Sequence, residues 1–368
     1  MIFPFKQLVR NRQRQSRQSS TAKRSQSFHP QHSHHRKVVA SRSFHEKFRI
    51  YTGEQLHWVQ VTQRLLVTVI HGVLPWMLWC GGYGLLICLL DSYGKLPAFF
   101  NDSKVLQNVV ISFNIILSLL LVFRTNTAHD RFWEGRKLWG AMVNTTRNLA
   151  RGISIAIEQR EPSEQDEKGA AVYLVAAFAV AMKLHLRREP MNSELEPMMS
   201  PQQYHQLQNV NHAPLEIAYW IGDYLQHQFE RQRLNIFQLA SLHELLDDMV
   251  DILGGCERIL KTPVPLVYTI TLNTLLWIYF LLLPFQLVGG LKWWTAPILV
   301  FMSFLYLGIN EVGAEIEEPF GHDANDLPLD SICTTIVRNL EHMIQFAPSA
   351  RASRTTNGNV LDLPRKAA

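Results

Sequence analysis

Residues 262–291 read TPVPLVYTITLNTLLWIYFLLLPFQLVGGL, thirty consecutive positions without Asp, Glu, Lys or Arg between Lys261 and Lys292. A helix bathed in water must show it a polar face, and this stretch has none to show. At about 1.5 Å of rise per residue it is long enough to cross the roughly 30 Å hydrocarbon layer of a bilayer. Three more blocks of the same kind follow from working outward. Residues 293–310 carry no charge before Glu311, residues 105–123 carry none, and residues 65–90 hold His71 as their only titratable side chain of that class. Each charge at mid-bilayer costs roughly 2.5–3.5 kcal/mol on insertion scales, so four such gaps read as four spans. Trp76, Trp79, Trp293 and Trp294 are expected at interfacial or near-interfacial depths.

Composition alone conceals this pattern. Mean hydropathy is −0.03, because long polar segments and a basic leader offset the apolar blocks. One further apolar run, residues 170–182, is only 13 residues long and is enclosed by Lys168, Lys183, Arg187 and Arg188. It is expected to be a buried helix in a soluble layer rather than a fifth crossing. Four spans put both termini on one side. Lys and Arg crowd residues 124–168, the leader and the tail, whereas the loop 91–104 has only Lys95 and Lys104, so the termini and the middle segment are expected on the cytosolic side, or the stromal side in an organelle.

The expected architecture is therefore all-α: four transmembrane helices with a helical cytosolic insert over 124–261, within a channel domain over 51–345. Residues 1–50 form a separate basic leader and 346–368 a flexible tail. Residues 1–45 hold ten Lys or Arg and no acid, which fits either a transit-like segment or a disordered tail on anionic lipid. Its cluster of His29, His32, His34 and His35 fits the same disordered tail better than a metal site. The four cysteines have no metal spacing and read as packing residues. No nucleic-acid partner is expected.

Directly after the second block the chain reads FRTNTAHDRFWEGRKLWG, Phe123 to Gly140. Two further passages are PVPLVYT, Pro263 to Thr269, and IEEPFGHDANDLPLD, Ile316 to Asp330. Together these resemble the bestrophin family, and in particular its bacterial, cyanobacterial and plastid branch. The resemblance covers about residues 55 to 345. It implies a homopentamer around one central pore, with the second span of each subunit lining a narrow neck. Ile111, Ile115, Leu119 and Phe123 recur every four positions and so form one helical stripe. By register with the family, Ile115, Leu119 and Phe123 are the neck triplet, and stacked apolar rings can gate by losing water. Packing against another helix is the alternative for such a stripe. Asn114 and Ser118, on a neighbouring face, are expected to hydrogen-bond adjacent helices. A second, cytosolic constriction is expected near residues 235–242, with Ile236, Phe237 and Ala240 as candidates.

The charged residues of the hallmark, Arg124, Asp130, Arg131, Glu134, Arg136 and Lys137, could attract ions or hold the assembly, and their alternating signs favour pairing, with Asn126 counted in the same assembly motif. In the passage after the fourth span, Glu318, Asp323 and Asp326 stand where animal members of the family bind calcium. The run of acids found there is missing, so a turn capped by Asp323, Asn325 and Asp326 is the expected role, and no cofactor is required.

The function implied is a passive ion channel for chloride or other small monovalent anions, in contact with membrane lipid. A monovalent-cation channel of the same fold is the alternative, because sodium-conducting bacterial relatives share the motifs and the apolar neck. A membrane enzyme using His322, Asp323 and Asp326, or a non-conducting scaffold, belongs to other classes. The chain has no nucleophile elbow, phosphate loop, HExxH or CxxC to support catalysis. The membrane is expected to be a thylakoid or other organelle membrane, or a bacterial inner membrane.

Overall fold

The computed structural model describes residues 58–96, 104–161, 163–323 and 325–345. The basic leader with its cluster of His29, His32, His34 and His35, and the tail after 345, lie outside the described residues. Nine α-helices follow in order among these residues: α1 (Trp58–Ser92), α2 (Lys104–Ala156), α3 (Ser163–Leu186), α4 (Pro201–Leu207), α5 (Ala213–Glu230), α6 (Ile236–Lys261), α7 (Leu266–Leu291), α8 (Thr295–Glu315) and α9 (Leu329–Gln345). Short 3-10 turns at Glu196–Met198 and Lys292–Trp294 complete the set, and no strand occurs among the described residues.

Two large apolar cores organise the described residues, beside a small patch of Ile87, Cys88 and Val288 between α1 and α7. The first joins α1, α2, α7 and α8 through Cys80, Leu117, Leu121, Leu276, Phe280 and Leu299. The second joins α2, α3, α5, α6 and α9 through residues such as Trp139, Phe178, Ile221, Met249 and Ile336. Only α2 runs through both. Its 53 residues extend about 80 Å at 1.5 Å each. The expected end of the second span at residue 123 is therefore a change of surroundings and not a break in the helix. No Pro or Gly interrupts the ladder there, so the hydrogen bonds continue while the outward side chains change from apolar to charged.

By length and composition α3 could also cross a membrane, but 78% of its most apolar stretch is buried within the protein. The corresponding figures are 33% for the stretch in α1 and 22% for α2. Protein covers most of α3, which forms the centre of the second core. Its Lys183 is 1% exposed, and Nζ donates to Glu194 at 2.7 Å and to Asp330 at 2.9 Å. Burial works to lower this amine's pKa, yet the two carboxylates overcome burial and raise it.

Local signals explain the boundaries. Asn235 and Gln238 form a reciprocal capping box at the start of α6, and Ser200 and Gln203 do the same for α4. The uncharged stretch begins at Thr262, but α7 begins only at Leu266. Pro263 and Pro265 disfavour helical backbone in the residues before them, so Thr262 to Pro265 form a connector between α6 and α7. Lys292, at φ 46°, ends α7 and turns the chain into α8. Gly84 permits α1 to approach α8, since a Cβ there would lie 3.1 Å from the Ala296 backbone.

The tryptophans fall into two groups. Trp293 and Trp294 sit exposed at the α7–α8 turn, where an interface would lie. Trp76 and Trp79 instead meet Trp277 edge-on, with ring centroids 4.8 and 5.7 Å apart. Trp277 is near the middle of α7. The four cysteines are buried and free of disulfides. Burial pushes the Cys256 and Cys333 thiols up to about 12.

Candidate pore-lining site

The upper half of α2 has two faces of opposite character. Val110, Leu117, Leu121 and Arg124 point into the protein, while Ile111, Ile115, Leu119 and Phe123 are 47%, 67%, 55% and 54% exposed. Four large apolar side chains one turn apart are thus left uncovered by their own subunit. Gln107, Asn108, Ser112 and Ser118 share this exposed side of α2. Uncharged polar groups are poor neighbours for hydrocarbon, which makes this a surface for protein or water more readily than for lipid. Asn114 accepts a short hydrogen bond from the Tyr306 hydroxyl of α8 and another from Ser118 at 3.3 Å. The asparagine therefore joins two spans, while Ser118 bonds within its own helix.

At the lower end of the stripe, charge replaces apolar surface and the contacts become specific. Arg124 is only 4% exposed, lies 3.8 Å from Glu317 and donates to Thr269 of α7 at 3.1 Å. Arg131 reaches three main-chain carbonyls: Ile259 at 2.8 Å, Glu317 at 3.1 Å, and Thr262 by a shorter contact. A guanidinium suits this position, because its fork satisfies carbonyls left unpaired at the end of α6. Glu134 pairs with Arg258 at 2.6 Å. These partners lie on other elements, so the alternating signs of the hallmark act across helices and not along one. Asn126 and Asp130 are exposed, and Arg136 is half-buried.

Gly135 connects two of the sequence passages. A Cβ there would lie 3.1 Å from the Phe320 ring and 3.3 Å from Pro319, so the α2 backbone packs directly on the Pro-Phe turn. Glu317, in the same passage, accepts from the Val264 amide at 2.9 Å as well as facing Arg124. Three separated motifs thereby converge at one junction. Sequence reasoning passed over Glu317 in favour of its neighbour Glu318, which is exposed. The available signal was the order of the passage, in which only one of two adjacent acids can turn inward after a helix end.

Glu318, Asp323 and Asp326 do not come together as a set of three convergent ligands among the described residues. Asp326 Oδ2 accepts from the Asp323 amide at 2.8 Å, and the Asp326 amide donates to the Asp323 carbonyl at 3.0 Å, which closes a turn. Burial, opposed by that amide bond, pushes the Asp326 carboxyl up to about 6. His322 turns to Glu189. Ile236, Phe237 and Ala240 lie in the first turns of α6, with Ile236 55% and Phe237 84% exposed, a second uncovered apolar patch.

Against this geometry, a model of the bacterial/fungal bestrophin proteins matches residues 50–342. The chain belongs to the bestrophin family. Among its relatives is a voltage-dependent anion channel-forming protein of Nostoc sp., 49% identical over 301 residues, which cover 82% of this chain and 96% of that one. A protein of the same description from Synechocystis sp. is 46% identical over 291 residues, covering 79% and 93%. The crystal structure of a bacterial bestrophin homologue from Klebsiella pneumoniae, a point mutant, superposes with a TM-score of 0.67 at 27% identity. The match covers 75% of this chain and all of that one. This bestrophin is an all-α integral membrane protein of the channel class, not an enzyme.

Proposed function

We propose that this bestrophin assembles as a homopentamer around a central pore and conducts chloride and other small monovalent anions passively. The observation that carries the reading is the exposed stripe of Ile115, Leu119 and Phe123 on α2, flanked by polar positions and left uncovered by its own subunit. Fivefold repetition stacks these side chains as three apolar rings. A narrow apolar ring gates by dewetting, because water leaves it at small radii and an ion cannot cross without its hydration. Ile236, Phe237 and Ala240, at the start of α6, form the second, cytosolic constriction. Arg124, Arg131 and Glu134 hold the spans to the extramembrane layer and take no direct part in conduction. Asn126, Asp130 and Arg136 belong to the same assembly surface. Conduction in this reading needs no cofactor, and the Asp323–Asp326 turn is structural. Both termini lie on the cytosolic or stromal side, following the Lys and Arg of the flanks. The anion assignment is supported by the Nostoc and Synechocystis relatives, which are described as anion channel-forming.

Purified protein in planar bilayers under a KCl gradient tests this directly. A reversal potential near that of chloride supports the anion channel. One near that of potassium overturns the selectivity, and silence from a verified pentamer overturns conduction. An amino-terminal sequence beginning near residue 45 in the native protein would identify the leader as a cleaved organelle segment. One beginning at residue 1 would assign it to the membrane surface.

A further inference from the structure

In the extramembrane layer, away from α2, the last turn of α3, the start of α5 and the end of α6 place two imidazoles on one carboxylate. His185 Nε2 and His212 Nε2 each lie 2.7 Å from the same oxygen of Glu257. The two rings are tilted by 34° to each other, with centroids 4.3 Å apart. All three donor atoms fall within 4.8 Å of one another, the one such group of three among the described residues. The three side chains are 24%, 29% and 17% exposed, sheltered yet open to solution.

We propose that His185, His212 and Glu257 bind a transition-metal dication of the zinc class, with a fourth position left to water. Two imidazole nitrogens and one carboxylate are the donor types such an ion takes, and three protein ligands plus solvent is a recurring arrangement for zinc. Bond lengths of about 2.0–2.1 Å put tetrahedral donors about 3.3 Å apart, so the two 2.7 Å contacts need to open by about 0.6 Å each. Glu257 is already held ionised: burial works to raise its carboxyl, but hydrogen bonds from Lys261, His212 and His185 outweigh it and bring the group down to about 2. Lys261 reaches the other oxygen of Glu257 at 2.7 Å, and being 68% exposed it can swing into solvent as the cation enters.

The cost falls on His212. Its Nδ1 accepts the Leu215 amide at 3.4 Å as the N-cap of α5, which leaves the proton of the neutral ring on Nε2. Metal at Nε2 moves that proton to Nδ1 and gives up a long, weak cap bond for a coordination bond. The consequence is a staple across α3, α5 and α6, one residue from the Arg258 that pairs with α2.

The test uses the full-length chain, purified in detergent without a polyhistidine tag, with His29, His32, His34, His35 and His45 replaced by Ala so that the leader contributes no imidazole ligands. After EDTA treatment, zinc chloride is titrated and bound zinc per subunit is measured by equilibrium dialysis. Cobalt absorption reports the coordination geometry. One ion per subunit is expected, with a higher unfolding temperature in zinc. His212→Asn is the decisive variant, because Asn is a good N-cap and keeps α5 intact while removing the imidazole. It should weaken zinc by about tenfold or more, since even outer-sphere partners of a metal cost that much, and Glu257→Gln should do the same. Zinc bound equally by these variants, or no zinc bound by the parent protein, overturns the site.

Discussion

Glu317 is the side chain on which the junction below the neck depends, and replacing it isolates that dependence. Arg124 is 4% exposed, its Nε has no hydrogen-bond partner, and Glu317 stands 3.8 Å away. At an effective dielectric of about 20 the gross attraction over that distance is roughly 4 kcal/mol. Glu317→Gln keeps an acceptor for the Val264 amide but strands the buried guanidinium, a change that typically costs about 3–5 kcal/mol. Glu317→Ala also strands the Val264 N–H and should cost about 1 kcal/mol more. In a large domain, where about 2 °C of unfolding temperature accompanies each kcal/mol, Glu317→Gln should lower the midpoint by roughly 5 °C or more. Tryptophan fluorescence of the detergent-solubilised protein measures this. Adding Arg124→Met to Glu317→Gln should restore most of the loss, because no charge is then buried without its partner. A midpoint for Glu317→Gln within about 1 °C of the parent, or a double variant no better than the single, would refute the electrostatic account.

Other substitutions follow from the same contacts. Leu119→Ala with Phe123→Ala widens two of the three apolar rings and should raise single-channel conductance or open probability in bilayers, with the reversal potential still near that of chloride. Lys183→Met should cost less than the pair Glu194→Gln with Asp330→Asn in chemical denaturation. The methionine leaves two carboxylates that are 49% and 63% exposed and can hydrate, whereas the pair strands an ammonium that cannot. Asp326, whose carboxyl is raised from 3.8 to about 6, binds its proton more tightly in the folded protein. The folded state should therefore gain stability as pH falls from about 6 towards 4, and Asp326→Asn should remove that component from the pH profile of the unfolding midpoint.

The uncharged lengths of residues 65–90, 105–123, 262–291 and 293–310 were legible from sequence because a bilayer imposes a simple rule: no charge for about twenty residues. The short run 170–182 was legible for the same reason, since charges at both ends denied it the length to cross. The stripe through Ile115 and Phe123 follows from helical periodicity alone. What it faces does not, because lipid, a neighbouring helix and a pore all accept apolar side chains. Only the packed fold leaves the stripe bare while covering Leu117 and Leu121 on the opposite face. Other features were decided wholly by tertiary structure. That Arg124 turns to Glu317 rather than to a neighbour on its own helix, and that Trp76 meets Trp277, are contacts between residues far apart in the chain. His185, His212 and Glu257 are the clearest case: separated by 27 and 45 positions, they share no motif, and only the meeting of three helix ends puts them around one point. A solvent acts on each residue locally and so writes its rule along the sequence, whereas pairing between distant side chains is decided by which surfaces the chain brings together.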